Sequence, residues 1–381
     1  MKETLSVPTG LWCNYLTNPL GVESQKPLLG WQITAKQEGW QQSAYQILVA
    51  SSLELLERDE GDLWDSGKVR SSQSIHISYQ GRPLASREMC YWKVRVWDQE
   101  DSPGPWSQHA WWEMGLLSEL DWHARWICAQ RKPVNDEGLE ALHSYSQFPG
   151  GFPAPMFRKS FTVDKKPIKA RAYISGLGYY ELQLNGEKVG DTVLDPAVSV
   201  YDKTVHYQTY DLTDQLQMGE NAVGVLLGDG WYNCFTAEVW NFAQAPWRDD
   251  VKLLLQIHLD FEDGTQQVIA TDPTWRVAMS PITFNGLRNG EYYDARLEQP
   301  GWSSPGFDDS NWQQALLARA PGGVLKSQQM VPIRRTGSIE PVSCQEVKPG
   351  VWVYDLGQNI SGWAKIRLQG EAGTTVTLKY A

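Results

Sequence analysis

The chain has 381 residues, with 45 acidic against 34 basic side chains and a formal net charge of −11. That length is too great for one compact core and implies two to three domains, while the acidic balance, with no concentration of Lys and Arg, argues against nucleic acid as a partner. Residues 1–15 lack the basic start and apolar run of a signal segment and nowhere do eighteen apolar residues stand together, so no membrane partner is expected and the location reads as cytoplasmic.

In chain order, period-2 alternation marks strands at Ala44–Ala50, 75–77 and 91–98, separated by turn signals such as Asp65-Ser66-Gly67 and Asp101-Ser102-Pro103-Gly104. In the last of these strands Trp92, Val94 and Val96 are expected to face a core, and Lys93, Arg95 and Trp97 to face water. With Pro105-Trp106-Ser107 behind it, this stretch resembles the penultimate strands of a fibronectin type III domain. Helix-like runs are short, at 52–58 and 211–216. Residues 129–156 are rich in Pro and Gly without periodicity and read as a surface loop at a domain junction. Strands resume at 158–163, 170–175 and 180–184, where Asn185-Gly186 signals a tight hairpin. Further strands at 205–210, 222–227, 252–261 and 267–270 suit a jelly roll. The last part, from near Pro321, carries extended stretches at 331–333, 351–355, 364–368 and 374–380. The final one would leave an unpaired edge, so the polypeptide is expected to continue in nature or to be a truncated product.

Two compositional features bear on function. Tryptophan occurs 19 times, and its flat apolar face matches the C–H face of a sugar ring, although sandwich cores also use it as filler. Cys13, Cys90, Cys128, Cys234 and Cys344 are odd in number and lack CxxC spacing, which points to buried free thiols rather than disulfides or a zinc site. The six histidines are scattered singly, so no metal triad is visible.

Three blocks in order resemble the bacterial α-L-rhamnosidases of glycoside hydrolase family 78. The first is Asn18-Pro19-Leu20-Gly21-Val22 with Pro27-Leu28-Leu29-Gly30-Trp31. The second runs from Leu184-Asn185-Gly186-Glu187 through Leu227-Gly228-Asp229-Gly230-Trp231-Tyr232 to Gly290-Glu291-Tyr292-Tyr293-Asp294-Ala295-Arg296. The third is Tyr354-Asp355-Leu356-Gly357-Gln358-Asn359 continuing to Gly362-Trp363. The resemblance implies an all-β chain of tandem β-sandwiches: a fibronectin III/Ig-like domain over 1–117, an N-terminal jelly roll over 118–320 and the truncated start of a concanavalin-like domain over 321–381. It implies an accessory region of an enzyme that removes terminal α-L-rhamnose from glycosides. The catalytic (α/α)6 barrel would lie downstream, so this chain is expected to be inactive alone. The alternatives are a free-standing rhamnose-binding, lectin-like module and a scaffold without ligand.

The resemblance also implies where a sugar and a calcium ion would bind in the jelly roll: Asp202, Asn241 and the carbonyl of Pro246 as oxygen ligands. Lys203 departs from the pattern, because an ammonium cannot coordinate a cation and repels it. Trp231, Trp240 and Trp247 are candidate sugar-stacking residues, with core packing the competing reading for Trp231. Glu291 and Asp294 are not expected to form a catalytic carboxylate pair; an ion pair with Arg296 or hydrogen bonding at a domain interface is the preferred role.

Overall fold

The computed structural model describes residues 7–35, 38–132, 152–234, 241–287, 290–371 and 373–380. It divides into two units, Met1–Ile333 and Arg334–Ala381.

The first unit begins with an Ig-like sandwich. A three-stranded sheet (Pro8–Cys13, Leu28–Ile33, Ile77–Ser78) faces a larger sheet built on Ala44–Ala50, Met89–Trp97 and Ala110–Glu113. Alternation places Ile47, Val49, Trp92, Val94 and Trp112 in its core, all fully buried. The 52–58 run does form a short helix, Leu53–Glu57, capped by the Ser52 hydroxyl accepting from the Leu55 N–H.

The opposite face of Met89–Trp97 departs from expectation. Lys93 and Trp97 are buried rather than open to water. Lys68, Trp97, Arg95, Trp106 and Lys93 alternate cation and indole in one stack, with each charge 4.6 to 5.0 Å from the ring centroid it covers. The charges sit over the indole faces, so these residues cover the second face of the strand.

The jelly roll is a pair of sheets of six and seven strands. The six-stranded sheet runs Glu187–Lys188, Tyr179–Leu184, Gly219–Gly228, Pro155–Val163, Arg276–Met279, Gln313–Gln314. The seven-stranded sheet centres on Lys252–Asp260 and Lys169–Leu177, with Thr204–Asp211 outside them. Phe157, Ile174, Leu182, Val225, Leu255 and Trp275 meet between the sheets, all buried. Asn185 and Gly186 take φ of 53° and 87°, and this two-residue turn closes the expected hairpin between Tyr179–Leu184 and Glu187–Lys188. Residues 211–216 are not helical: the strand runs to Asp211 and a turn follows, with Leu212 accepting from the N–H groups of Gln215 and Leu216. Of the expected loop at 129–156, residues 133–151 lie outside the described residues. Val324–Ser327, beyond the expected boundary at 320–321, pairs in parallel with Thr204–Asp211.

The Ig-like sandwich and the jelly roll meet across a charged seam. Glu113, with no exposed side-chain surface, accepts from the Arg171 Nε at 3.0 Å and lies 2.9 Å from its Nη2 and 3.2 Å from the Lys169 ammonium. Arg171 also pairs with Asp211 at 2.7 Å. Alongside, the Leu116 N–H donates to the Tyr207 phenol (3.0 Å) and the Ser327 N–H to the Glu23 carboxylate (3.0 Å).

Among the described residues, the second unit contains one hairpin, Ser343–Lys348 with Val351–Asp355. Both of its faces are exposed, Trp352 at 53% and Tyr354 at 60%. The expected strands at 364–368 and 374–380 do not form: no described strand pairs with either stretch, and the Ala364 N–H donates to the Tyr380 phenol (3.3 Å) and the Thr374 N–H to the Glu371 carbonyl (3.1 Å) instead of to a ladder. Residues 331–333 of the first unit likewise form no strand; Ile333 accepts one bond, from the Val193 N–H. Cys13, Cys90 and Cys234 are buried free thiols as expected, whereas Cys128 is half-buried and Cys344, on the hairpin, is exposed.

Candidate functional site

The candidate sugar site lies at the end of the jelly roll where the strands Tyr179–Leu184 and Thr204–Asp211 begin and Gly219–Gly228 ends. A turn precedes Thr204: the Val200 carbonyl accepts from the N–H groups of Lys203 (2.8 Å) and Thr204 (2.9 Å). The turn is tied to the far end of the domain, because Gly323 donates to Tyr201 and Val324 to Lys203. Tyr201 points inward, edge-on to Tyr232 (5.3 Å) and to Trp247 (6.0 Å). Burial, with Tyr179 and Tyr232 nearby, pushes its phenol up. Asp202 and Lys203, the next two residues, are exposed at the tip.

The Gly228-Asp229-Gly230-Trp231 turn is held from beneath. Arg131 spans two acids, with Nη1 2.8 Å from Asp229 and Nη2 2.8 Å from Asp250. Asp229 also accepts from the Asn233 amide at 2.8 Å, and its N–H donates to the Asn285 side-chain oxygen at 2.7 Å. Burial pushes the Asp229 carboxyl up, opposed by the Arg131 guanidinium and the Asn233 amide. This fork fixes both ends of the segment that carries the tryptophans, since Asp229 precedes Trp231 and Asp250 follows Trp247.

Trp231 is half-buried, 4.9 Å from Phe242 and hydrogen-bonded to the Tyr179 phenol, which joins its core-packing reading to a partly open ring. Trp247 is also half-buried, and its indole N–H is buried without a partner among the described residues. Trp240 lies outside the described residues. Asn241 is exposed in a left-handed conformation (φ 53°) ahead of the short turn Phe242–Gln244, and its carbonyl is used by Gln244. Pro246 is exposed. The structure therefore gathers Trp231 and Trp247 into one cluster with Tyr201, Tyr232 and Val205, with Asp202 beside it. Asp202 and Asn241 share no hydrogen bond among the described residues.

The donors fit calcium poorly. A hard cation takes six to eight oxygens, and here a single carboxylate, an amide and a proline carbonyl are accompanied by the Lys203 ammonium, which has no ion pair among the described residues. No group of three His, Cys, Asp or Glu side chains is found there. Asp294 instead forms a two-point ion pair with Arg296, which holds its carboxyl down at about 2. Glu291 sits in the strand Gly290–Tyr293, exposed at its surface, with partial desolvation pushing its carboxyl up.

Sequence reasoning missed Tyr201, Tyr232 and Arg131. The aromatic pair was hidden because each sits in a segment without alternation, and Arg131 because its partners lie 98 and 119 residues away.

Family models match in succession: a Rha78A-like N-terminal immunoglobulin domain over 8–118, an α-L-rhamnosidase N-terminal domain over 165–337 and a bacterial α-L-rhamnosidase concanavalin-like domain over 345–381. The chain belongs to the bacterial α-L-rhamnosidase family. It corresponds to the N-terminal portion of that family's members. An α-L-rhamnosidase of Formosa agariphila is 38% identical over 95% of this chain, which spans 39% of that protein. Among solved structures, the α-L-rhamnosidase from Dictyoglumus thermophilum is 41% identical with a TM-score of 0.82, over 92% of this chain and 38% of that one. The Streptomyces avermitilis α-L-rhamnosidase, solved with L-rhamnose, is 27% identical with a TM-score of 0.84, over 93% and 49%. No described helix of this rhamnosidase-family chain is long and apolar enough to cross a membrane.

Proposed function

We propose that this chain is the non-catalytic N-terminal region of an α-L-rhamnosidase, which shapes the approach of a rhamnose-containing glycoside to a catalytic domain carried elsewhere. The observation that carries the reading is the ordered run of three family matches in a chain spanning 38 to 39% of rhamnosidases at 38 and 41% identity. Inverting hydrolysis of a glycoside needs an acid and a base carboxylate ~6.5–9.5 Å apart, with water between them. In this reading that pair belongs to the downstream barrel. Incubation of the purified chain with an aryl α-L-rhamnoside is expected to release no free L-rhamnose; release would overturn the proposal.

A second reading, a rhamnose-binding module, is favoured by the aromatic cluster of Tyr201, Tyr232 and Trp247 beside Asp202. With Lys203 in place, sugar binding at this end is expected to be indifferent to a chelator. Calorimetry with L-rhamnose, with and without a chelator, tests it: no heat at millimolar sugar removes the site, and a chelator-sensitive heat restores calcium to it.

A further inference from the structure

A second concave site lies on the outer face of the six-stranded sheet, and none of its lining residues belongs to the cluster around Tyr201 and Trp247. Phe157, Leu182 and Val225 of this sheet turn into the core, so their neighbours Met156, Gln183, Gly224 and Leu226 turn outward. Met156 and Leu226 are direct cross-strand partners and form the floor of a cleft of about 270 Å³. Trp302 forms one wall. It packs close against the sheet because residue 224 is glycine: a Cβ there would fall 2.6 Å from the indole ring. Trp312 stacks behind it at 6.3 Å and 24°. Pro281, Ile282 and the exposed Tyr293 form the other wall.

The polar groups at the rim are already oriented. The Glu298 carboxylate accepts from the Tyr293 phenol through Oε1 (2.6 Å), which leaves Oε2 as an acceptor. Gln299 accepts from the Trp312 indole N–H through Oε1 (2.9 Å), which leaves its amide N–H groups to donate. The Gln183 side chain is fixed by the Ser303 hydroxyl (2.6 Å) and by Glu181 (3.2 Å). No Lys or Arg lines the cleft and one carboxylate does, so it rejects anions. The volume is just below the range of drug-sized pockets and suits a single ring. A ligand for it has one apolar face for the indole and the Met–Leu floor, and adjacent hydroxyls that donate to Glu298 and accept from Gln299.

We propose that this cleft binds one neutral saccharide ring, as a glycan-contact site separate from the Asp202–Trp247 end. The sugar class rests on the chain's reading as part of a glycosidase; the geometry of the cleft does not. Saturation-transfer NMR on the whole chain with L-rhamnose, D-glucose and D-galactose tests it. At least one sugar is expected to bind, and Glu298→Ala, at an exposed position, is expected to weaken that binding about tenfold or more while Asp202→Ala leaves a Glu298-dependent signal in place. Gln299→Ala serves as a second variant with the same expected loss. The inference falls if none of the three sugars binds up to about 50 mM, or if all binding is lost with Asp202→Ala and none with Glu298→Ala. Either result leaves the hydrolysis assay, which decides the proposed function, untouched.

Discussion

The two units of this chain use the same amino-acid vocabulary with opposite outcomes. In Met1–Ile333, alternating runs such as Lys252–Asp260 bury Leu253, Leu255 and Ile257 completely. In Arg334–Ala381, the strand Val351–Asp355, with Val351, Trp352, Val353 and Tyr354 in succession, leaves each of its five side chains exposed. Alternation encodes a strand with two faces; burial comes only from whatever second layer covers one of them. The first unit supplies that layer from within itself, whereas the described residues of the second supply one hairpin.

The largest test of the comparison is at the seam. Glu113→Ala leaves the buried Arg171 and the half-buried Lys169 without their shared carboxylate and is expected to destabilise the first unit by about 3–5 kcal/mol, read by chemical denaturation. A loss below about 1 kcal/mol would mean that the two sandwiches are only loosely joined. Next comes a matched pair. Leu255→Ala is expected to cost about 2–5 kcal/mol through the cavity it leaves, and Leu368→Ala, at 61% exposure, less than about 0.5. Equal costs would break the contrast between the units.

The smallest effect concerns acid. Burial, with the neighbouring Arg87 and His123 charges, holds His258 down at about 4. The unfolded chain therefore takes up the proton first, so the contribution of His258 is complete above about pH 6.5 and is lost as pH falls through that value towards 4, on the order of 2 kcal/mol. His258→Gln is expected to flatten the fall in melting temperature over this window; an unchanged pH profile would show that other groups set it.

What could be read from the sequence was local. Asn185-Gly186 announced its hairpin because the turn's dihedral demands fall on those two residues alone. The strands at 158–163 and 222–227 announced themselves by alternation and proved to be paired with each other. The family blocks located the fold and its neighbourhood. The rest depended on partners distant in sequence. Arg131 looked like part of a loop until Asp229 and Asp250 were found around it. Lys93 and Arg95 read as solvent-facing because nothing in a period-2 pattern reports that Trp97 and Trp106 will lie against them. At the candidate site, the tryptophans were visible as residues, but the inward Tyr201 that anchors Trp247 was not.

The parallel ladder between Thr204–Asp211 and Val324–Ser327 also orders events in time. Glu23, near the start of the chain, is bonded to Ser327, 304 positions later, and Gly21 to Gln329. As the polypeptide leaves the ribosome, the leading sandwich must therefore wait for almost the whole of the following domain before its last contacts can close. Completion of the body is a late, long-range step. Until residue 327 emerges, the margin at Val205 and Tyr207 lacks its neighbour and is open to capture by another nascent strand.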